Sequence, residues 1–224
     1  MIRAIIFDWD GVITDTEPVH MEAWLRVFKP MGISFDEEEY YRCYVGLTDG
    51  DFLDEVGRNH NREFNERDKG VAIERKFVES HKILEEKIPL MPGVEEIVPK
   101  LHEKYPLAIC SGALKREIMF VLKSVGWQDY FKPIVTQEDV RRGKPNPEGF
   151  MIAFKHLQQH HEWSDPLKES ECLIIEDSPH GIEAANAAGM PVVAITNSFP
   201  EEHLKGANEI VSSLGDAVEK CLKL

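Results

Sequence analysis

The chain is short of cysteine, of long apolar runs and of positive charge, and each shortage removes a class of protein. Its four cysteines, Cys43, Cys110, Cys172 and Cys221, are widely spread, with no CxxC pair. A disulfide framework or a structural zinc site needs closer pairing, so neither fits. Cys110 and Cys172 sit in or beside apolar runs and read as buried free thiols. No run reaches the roughly 18 apolar residues of a membrane-spanning helix. The apolar start Ala4-Ile5-Ile6-Phe7 is halted by Asp8, which does not read as a signal peptide. A soluble cytoplasmic protein is therefore expected, with no membrane partner. Basic residues number 26 against 40 acidic ones, a net charge of −14. Such a balance disfavours the phosphate backbone of nucleic acid and anionic membrane surfaces as partners. The glycine patterns of dinucleotide-binding and P-loop proteins are absent. So are internal repeats and low-complexity segments.

What remains is 224 residues with 42% hydrophobic and 9% aromatic content, enough for a substantial core. Short apolar runs at 3–7, 107–110, 133–135, 173–175 and 192–195 each end in polar residues. Runs without polar alternation suit strands covered on both faces, as in a parallel sheet. Helical patterns fill the gaps at 94–104, 115–125, 148–159 and 181–188. This rhythm predicts an α/β fold with a doubly wound, Rossmann-like parallel-sheet core. Residues 17–88 break it, holding helical patterns at 18–28, 49–59 and 71–84 and no convincing strand. In the last of these, Ile73, Phe77, Val78, His81 and Leu84 recur at helical spacing and predict the buried face. Asp36-Glu37-Glu38-Glu39 reads as the acidic first turn of another helix. The expected organisation is a core of 1–16 and 89–224 with a small helical cap, 17–88, inserted in it.

In an open parallel sheet, ligands bind beyond the carboxyl ends of the strands. The residues there are Asp8 and Asp10, Ser111, and Glu176 with Asp177, while Lys144 lies in a turn after the third strand. Residues two apart in an extended chain point the same way, so Asp8 and Asp10 can face one point. Carboxylates that close repel, and a divalent cation keeps them ionised. Oxygen-only ligands suit Mg²⁺, which is the expected cofactor. Ser111 and Lys144 offer a hydroxyl and a cation suited to holding a phosphoryl group. Read separately, each of these residues has a structural explanation: a turn, a helix cap or a solvated lysine. As a set they match what phosphoryl transfer to a carboxylate requires.

The ordered segments Asp8-Trp9-Asp10-Gly11-Val12-Ile13, Ser111-Gly112-Ala113, Gly143-Lys144-Pro145 and Ile175-Glu176-Asp177-Ser178 resemble the four motifs of the haloacid dehalogenase superfamily. The inserted helical stretch resembles its small-cap subgroup, which includes phosphoglycolate phosphatase-like and β-phosphoglucomutase-like enzymes. The resemblance implies that Asp8 is the nucleophile and Asp10 the acid and base. It implies Mg²⁺ held by Asp8, the Asp10 backbone carbonyl and Asp177, with Glu176 a further ligand or a supporting group. Ser111 and Lys144 would hold the phosphoryl oxygens. Members that cleave carbon–halogen bonds lack the second aspartate, so Asp10 directs the expectation to phosphate esters.

Thr16 and His20 resemble a mutase pattern, Asp-Thr-x-x-x-His, at the start of the cap. The cap loop Val45-Gly46-Leu47-Thr48-Asp49 departs from that pattern. The mutase has a lysine and an arginine where this chain has Val45 and Asp49, and these cannot hold a second phosphate dianion. Thr16, His20, Asp49, Gly112 and Arg116 are the expected substrate contacts. The leading expectation is a monomeric phosphatase of a small phosphorylated metabolite, of sugar or polyol phosphate class. A β-phosphoglucomutase-like mutase is the alternative, and a non-catalytic phospho-acceptor domain the third. His180 reads as a surface or capping residue, and His160-His161 lack the context of a metal site.

Overall fold

The computed structural model describes residues 1–45 and 47–221, so Gly46 of the glycine loop lies outside them. The chain forms two compact units, Met1–Asp15 with Leu90–Leu224, and Thr16–Pro89.

The first unit is built on six strands: β1 (Ala4–Phe7), β2 (Leu107–Cys110), β3 (Phe131–Val135), β4 (Cys172–Glu176), β5 (Val192–Ile195) and β6 (Glu209–Val211). They form one parallel sheet in the order β3-β2-β1-β4-β5-β6, the α/β fold expected of the strand–helix rhythm. Every residue of β1, β2, β4 and β5 is buried. Covered on both faces, these strands need apolar side chains pointing both ways, which is why they read as unbroken apolar runs. The edge strands differ. β3 has exposed and half-exposed residues and extends two residues earlier than its apolar run. The apolar runs give no sign of β6, because a three-residue strand with an exposed glutamate carries too little contrast.

The second unit holds α1 (Glu17–Phe28), α2 (Glu37–Cys43), α3 (Asp49–Asn59) and α4 (Glu66–Glu86). Asp36, Thr48 and Asn65 cap α2, α3 and α4, each side chain accepting from the backbone N–H three residues on. Asn65 therefore starts α4 five residues before the apolar periodicity does. The unit's core is aromatic: Trp24 stacks on Phe52 with ring centroids 4.6 Å apart, and Phe28, Phe35, Tyr40 and Tyr44 close around them. The predicted buried face of α4 needs correction. Its buried residues are Ala72, Lys76, Ser80 and Leu84, whereas Val78 is half-exposed and Ile73, Phe77 and His81 are only partly covered. A buried lysine becomes tolerable because it is paired, its Nζ lying 3.3 Å from Asp49 Oδ1.

Helices of the first unit are α5 (Val94–His102), α6 (Lys115–Ser124), α7 (Glu148–His160), α8 (Pro179–Ala187) and α9 (Leu214–Cys221). The four cysteines are free, with Cys110 and Cys172 buried as their apolar settings imply. Among the described residues no helix is long and apolar enough to cross a membrane.

Candidate active site

Strand register builds the site. Phe7 of β1 lies opposite Ile109 on one side and Ile175 on the other, so the residues that follow emerge along one edge of the sheet. The Asp8 N–H donates to Ile175 O at 2.9 Å, and the Ser111 N–H donates to Val135 O at 3.0 Å, carrying the ladder one step beyond the strands. Asp8, Ser111, Glu176 and Asp177 are all buried there.

Carboxylate oxygens of Asp8, Glu176 and Asp177 lie within 4.8 Å of one another. Lys144 reaches into this group, its Nζ donating to Asp8 Oδ1 at 2.6 Å and to Glu176 Oε1 at 2.5 Å. Three carboxylates and one ammonium leave two negative charges when all are ionised, the complement of a divalent cation. Burial, then Glu176 and Asp177, push the Asp8 carboxyl well above the usual range, against the pull of Lys144. Burial likewise pushes Asp177 up to about 7. Burial works against the Lys144 charge, yet Asp8 and Glu176 raise its pKa above the ordinary lysine value. All-oxygen donors, crowding and excess negative charge together fit Mg²⁺.

Glu176 is the most heavily bonded of the three. Its Oε2 accepts from the Asp177 N–H, the Ser178 N–H and the Ser178 hydroxyl, each at 2.9 Å, while Lys144 takes Oε1. Ser178 also caps α8, its Oγ accepting from the Gly181 N–H at 3.0 Å. A Cβ at Gly181 would run into the Glu176 carboxylate, so glycine is required where the helix passes its own motif. Gly11 has φ of 75°, and a Cβ there would overlap the Asp177 carboxylate.

The other residues singled out by the sequence divide between the units. Asp10 opens the turn after β1, with Asp10 and Thr14 joined by a β-bridge. Ser111 Oγ accepts from the Ala113 N–H at 2.9 Å, and exposed Gly112 and Arg116 follow in the loop and the first turn of α6. Thr16, His20 and Asp49 belong to the helical unit, where His20 of α1 and Asp49 of α3 both relate to Lys76 of α4. Burial, and then the Lys76 charge, push the His20 imidazole down to about 3, so it is neutral. Among the described residues its Nδ1 and the Ser80 hydroxyl, both buried, have no hydrogen-bond partner.

Sequence reasoning missed two groups. Lys76 and Ser80 were hidden because an apolar search skips a polar residue on a buried face, although the spacing 72, 76, 80, 84 is helical. Asn197 and Ser198, beyond β5, reach the site: Ser198 Oγ donates to Asp177 Oδ2, and Asn197 Nδ2 donates to Gly11 O at 2.6 Å. The strand-end rule applies to β5 as to the others, and reading two residues past Thr196 finds both.

Residues 5–195 match the haloacid dehalogenase-like hydrolase family, and the chain belongs to that family of enzymes. It is 30% identical to a phosphorylated carbohydrates phosphatase of Thermotoga maritima, over 84% of this chain and 82% of that one. Identity with a β-phosphoglucomutase of Bacillus subtilis is 27%, over 96% and 91% of the two chains. The crystal structure of β-phosphoglucomutase from Clostridium difficile superposes with a TM-score of 0.75 at 29% identity, covering 96% of this chain and 93% of that chain.

Proposed function

We propose that the protein is a Mg²⁺-dependent phosphatase that hydrolyses a small phosphorylated sugar or polyol through an aspartyl-phosphate on Asp8. The observation that carries this reading is the meeting of Asp8, Glu176 and Asp177 around Lys144. An anionic ester cannot approach three carboxylates unless cations intervene, and Lys144 supplies one. Asp8, Asp177 and the Asp10 backbone carbonyl would hold Mg²⁺, which when bound supplies the remaining positive charge. Glu176 fits a supporting role better than that of a ligand, since both its oxygens already accept hydrogen bonds.

Asp8 attacks phosphorus in line, forming an O–P bond as the ester P–O bond breaks, and Asp10 gives its proton to the leaving alcohol oxygen. Asp10, now a carboxylate, takes a proton from the water that attacks the aspartyl-phosphate, which releases inorganic phosphate, restores the Asp8 carboxylate and returns Asp10 to its acid form. Lys144 and the Ser111 hydroxyl hold the phosphoryl oxygens, with Gly112 and Arg116 beside them. We assign Thr16, His20 and Asp49 of the helical unit to contacts with the rest of the substrate.

The Lys76–Asp49 ion pair favours a phosphatase over a mutase. A lysine already neutralised by a carboxylate is a poor holder of a second dianion, whereas the pair offers donors and acceptors to sugar hydroxyls. Relatives of both kinds are among the chains this one resembles, so the test separates them. A panel of sugar, polyol and nucleotide monophosphates is incubated with the protein and Mg²⁺, and free phosphate is measured. Release that EDTA and Asp8→Asn each abolish is expected. Interconversion of glucose 1- and 6-phosphates without release supports a mutase, and stable aspartyl-phosphate supports a phospho-acceptor. Full phosphate release in EDTA overturns the proposal.

A further inference from the structure

Beyond β5 the chain turns back over the tips of two other strands. Ser198 Oγ donates to Asp177 Oδ2, from the end of β4. Asn197 Nδ2 donates to Gly11 O, in the turn that follows β1. The three elements meet closely: a Cβ at Gly11 would lie 2.7 Å from Ser198 Oγ and would overlap Asp177. Both polar residues are exposed at the surface, yet the Asp177 that Ser198 reaches is buried.

We propose that Ser198 is a positioning residue for the cation site, acting through Asp177. This rests on the reading of Asp8 and Asp177 as Mg²⁺ ligands. A carboxylate beside a cation can turn about its terminal torsion and offer one oxygen or two. The Ser198 hydroxyl occupies Oδ2 and fixes the torsion, so Asp177 presents a single oxygen in a defined direction. Mg²⁺ demands near-octahedral geometry and short bonds, and it loses more from a loose or two-oxygen carboxylate than Ca²⁺ does. Asn197 keeps the loop in place by anchoring it to Gly11. Partners that orient a ligating carboxylate are worth roughly ten- to a hundredfold in metal affinity.

The test measures Mg²⁺ and Ca²⁺ affinity of the substrate-free protein by titration calorimetry for wild type, Ser198→Ala and Ser198→Thr. Thermal unfolding in metal-free buffer is run alongside. Ser198→Ala is expected to bind Mg²⁺ roughly ten- to a hundredfold more weakly, with a smaller loss for Ca²⁺. Ser198→Thr keeps the hydroxyl and restores the affinity. The metal-free unfolding temperature stays near that of wild type, which separates metal positioning from a mere loop tie. Equal Mg²⁺ affinity in wild type and Ser198→Ala overturns the role of Ser198 and leaves the phosphatase reading standing. Equal losses for both cations, or failure of Ser198→Thr to restore binding, also overturn it. Wild-type protein that binds no Mg²⁺ removes the metal reading, and this role with it.

Discussion

Gly181 faces the carboxylate of Glu176 with no room for a side chain between them. The contact lets α8 start immediately after β4 while Ser178 ties the helix start to Glu176. Gly181→Ala is therefore expected to push Glu176 off Lys144 or to displace the first turn of α8. The cost is about 1–3 kcal/mol, the range of a forced overpacking in a buried place. Urea unfolding measures it, and a variant as stable as wild type would show that the turn yields freely.

Lys144 is the counter-charge of two buried carboxylates, at 2.6 Å from Asp8 and 2.5 Å from Glu176. Lys144→Met leaves both without it. Removing one partner of a buried ionic group costs about 3–5 kcal/mol, because the remaining charge stays in a poorly solvated place. The variant is expected to lose that stability in metal-free buffer, to regain part of it with Mg²⁺, and to hydrolyse phosphate esters at least about a hundredfold more slowly. Denaturant unfolding with and without Mg²⁺ checks the first two effects, and phosphate release checks the third. Unchanged metal-free stability would mean that the carboxylates find other compensation.

How much of this was legible in the chain depends on burial. The four central strands are buried on both faces, so apolar runs mark them, and the polar residues that stop those runs mark the strand ends. Asp8, Ser111 and Glu176-Asp177 stood out for that reason. Edge strand β6 and helix α9 carried no comparable contrast. Lys76 was invisible because a polar side chain on a buried face makes sense only once its partner Asp49, 27 positions earlier in numbering, is seen beside it. Ser198 lies within reach of the strand-end rule, two residues past Thr196, but its significance shows only in its contact with Asp177 at the end of the neighbouring strand β4.

The neutral His20 gives the helical unit a pH dependence of known sign. Its folded pKa of about 3 lies below the ordinary value of 6.5, through burial and then the charge of Lys76. The unfolded chain therefore binds a proton between those values that the folded chain does not. Stability from this group is fully present above pH 6.5 and is lost as pH falls toward 3. Between about pH 8 and about pH 5 the loss is on the order of 2 kcal/mol. His20→Gln removes it, so the variant's stability should fall less steeply than that of wild type over this range. Unfolding free energies at several pH values give the two slopes, and parallel slopes would place a charged His20 in the folded protein.

Gly70 offers the opposite experiment, a glycine its own fold does not require. It lies inside α4, is exposed, and a Cβ built on it meets nothing within 4 Å. Its φ is not in the left-handed region, so alanine can adopt the same backbone. Glycine in a helix interior costs about 0.5–1 kcal/mol relative to alanine, because it has more backbone freedom to lose on folding. Gly70→Ala is therefore expected to stabilise the protein by that amount. For a chain of this size the unfolding midpoint should rise by about 2–4 °C per kcal/mol. Phosphate release should be unchanged, since the exposed Gly70 position leaves open space for the new methyl and belongs to neither the carboxylate–lysine site nor the Lys76–Asp49 pair. A loss of stability would mean that a close approach to the exposed face of α4 needs the missing side chain.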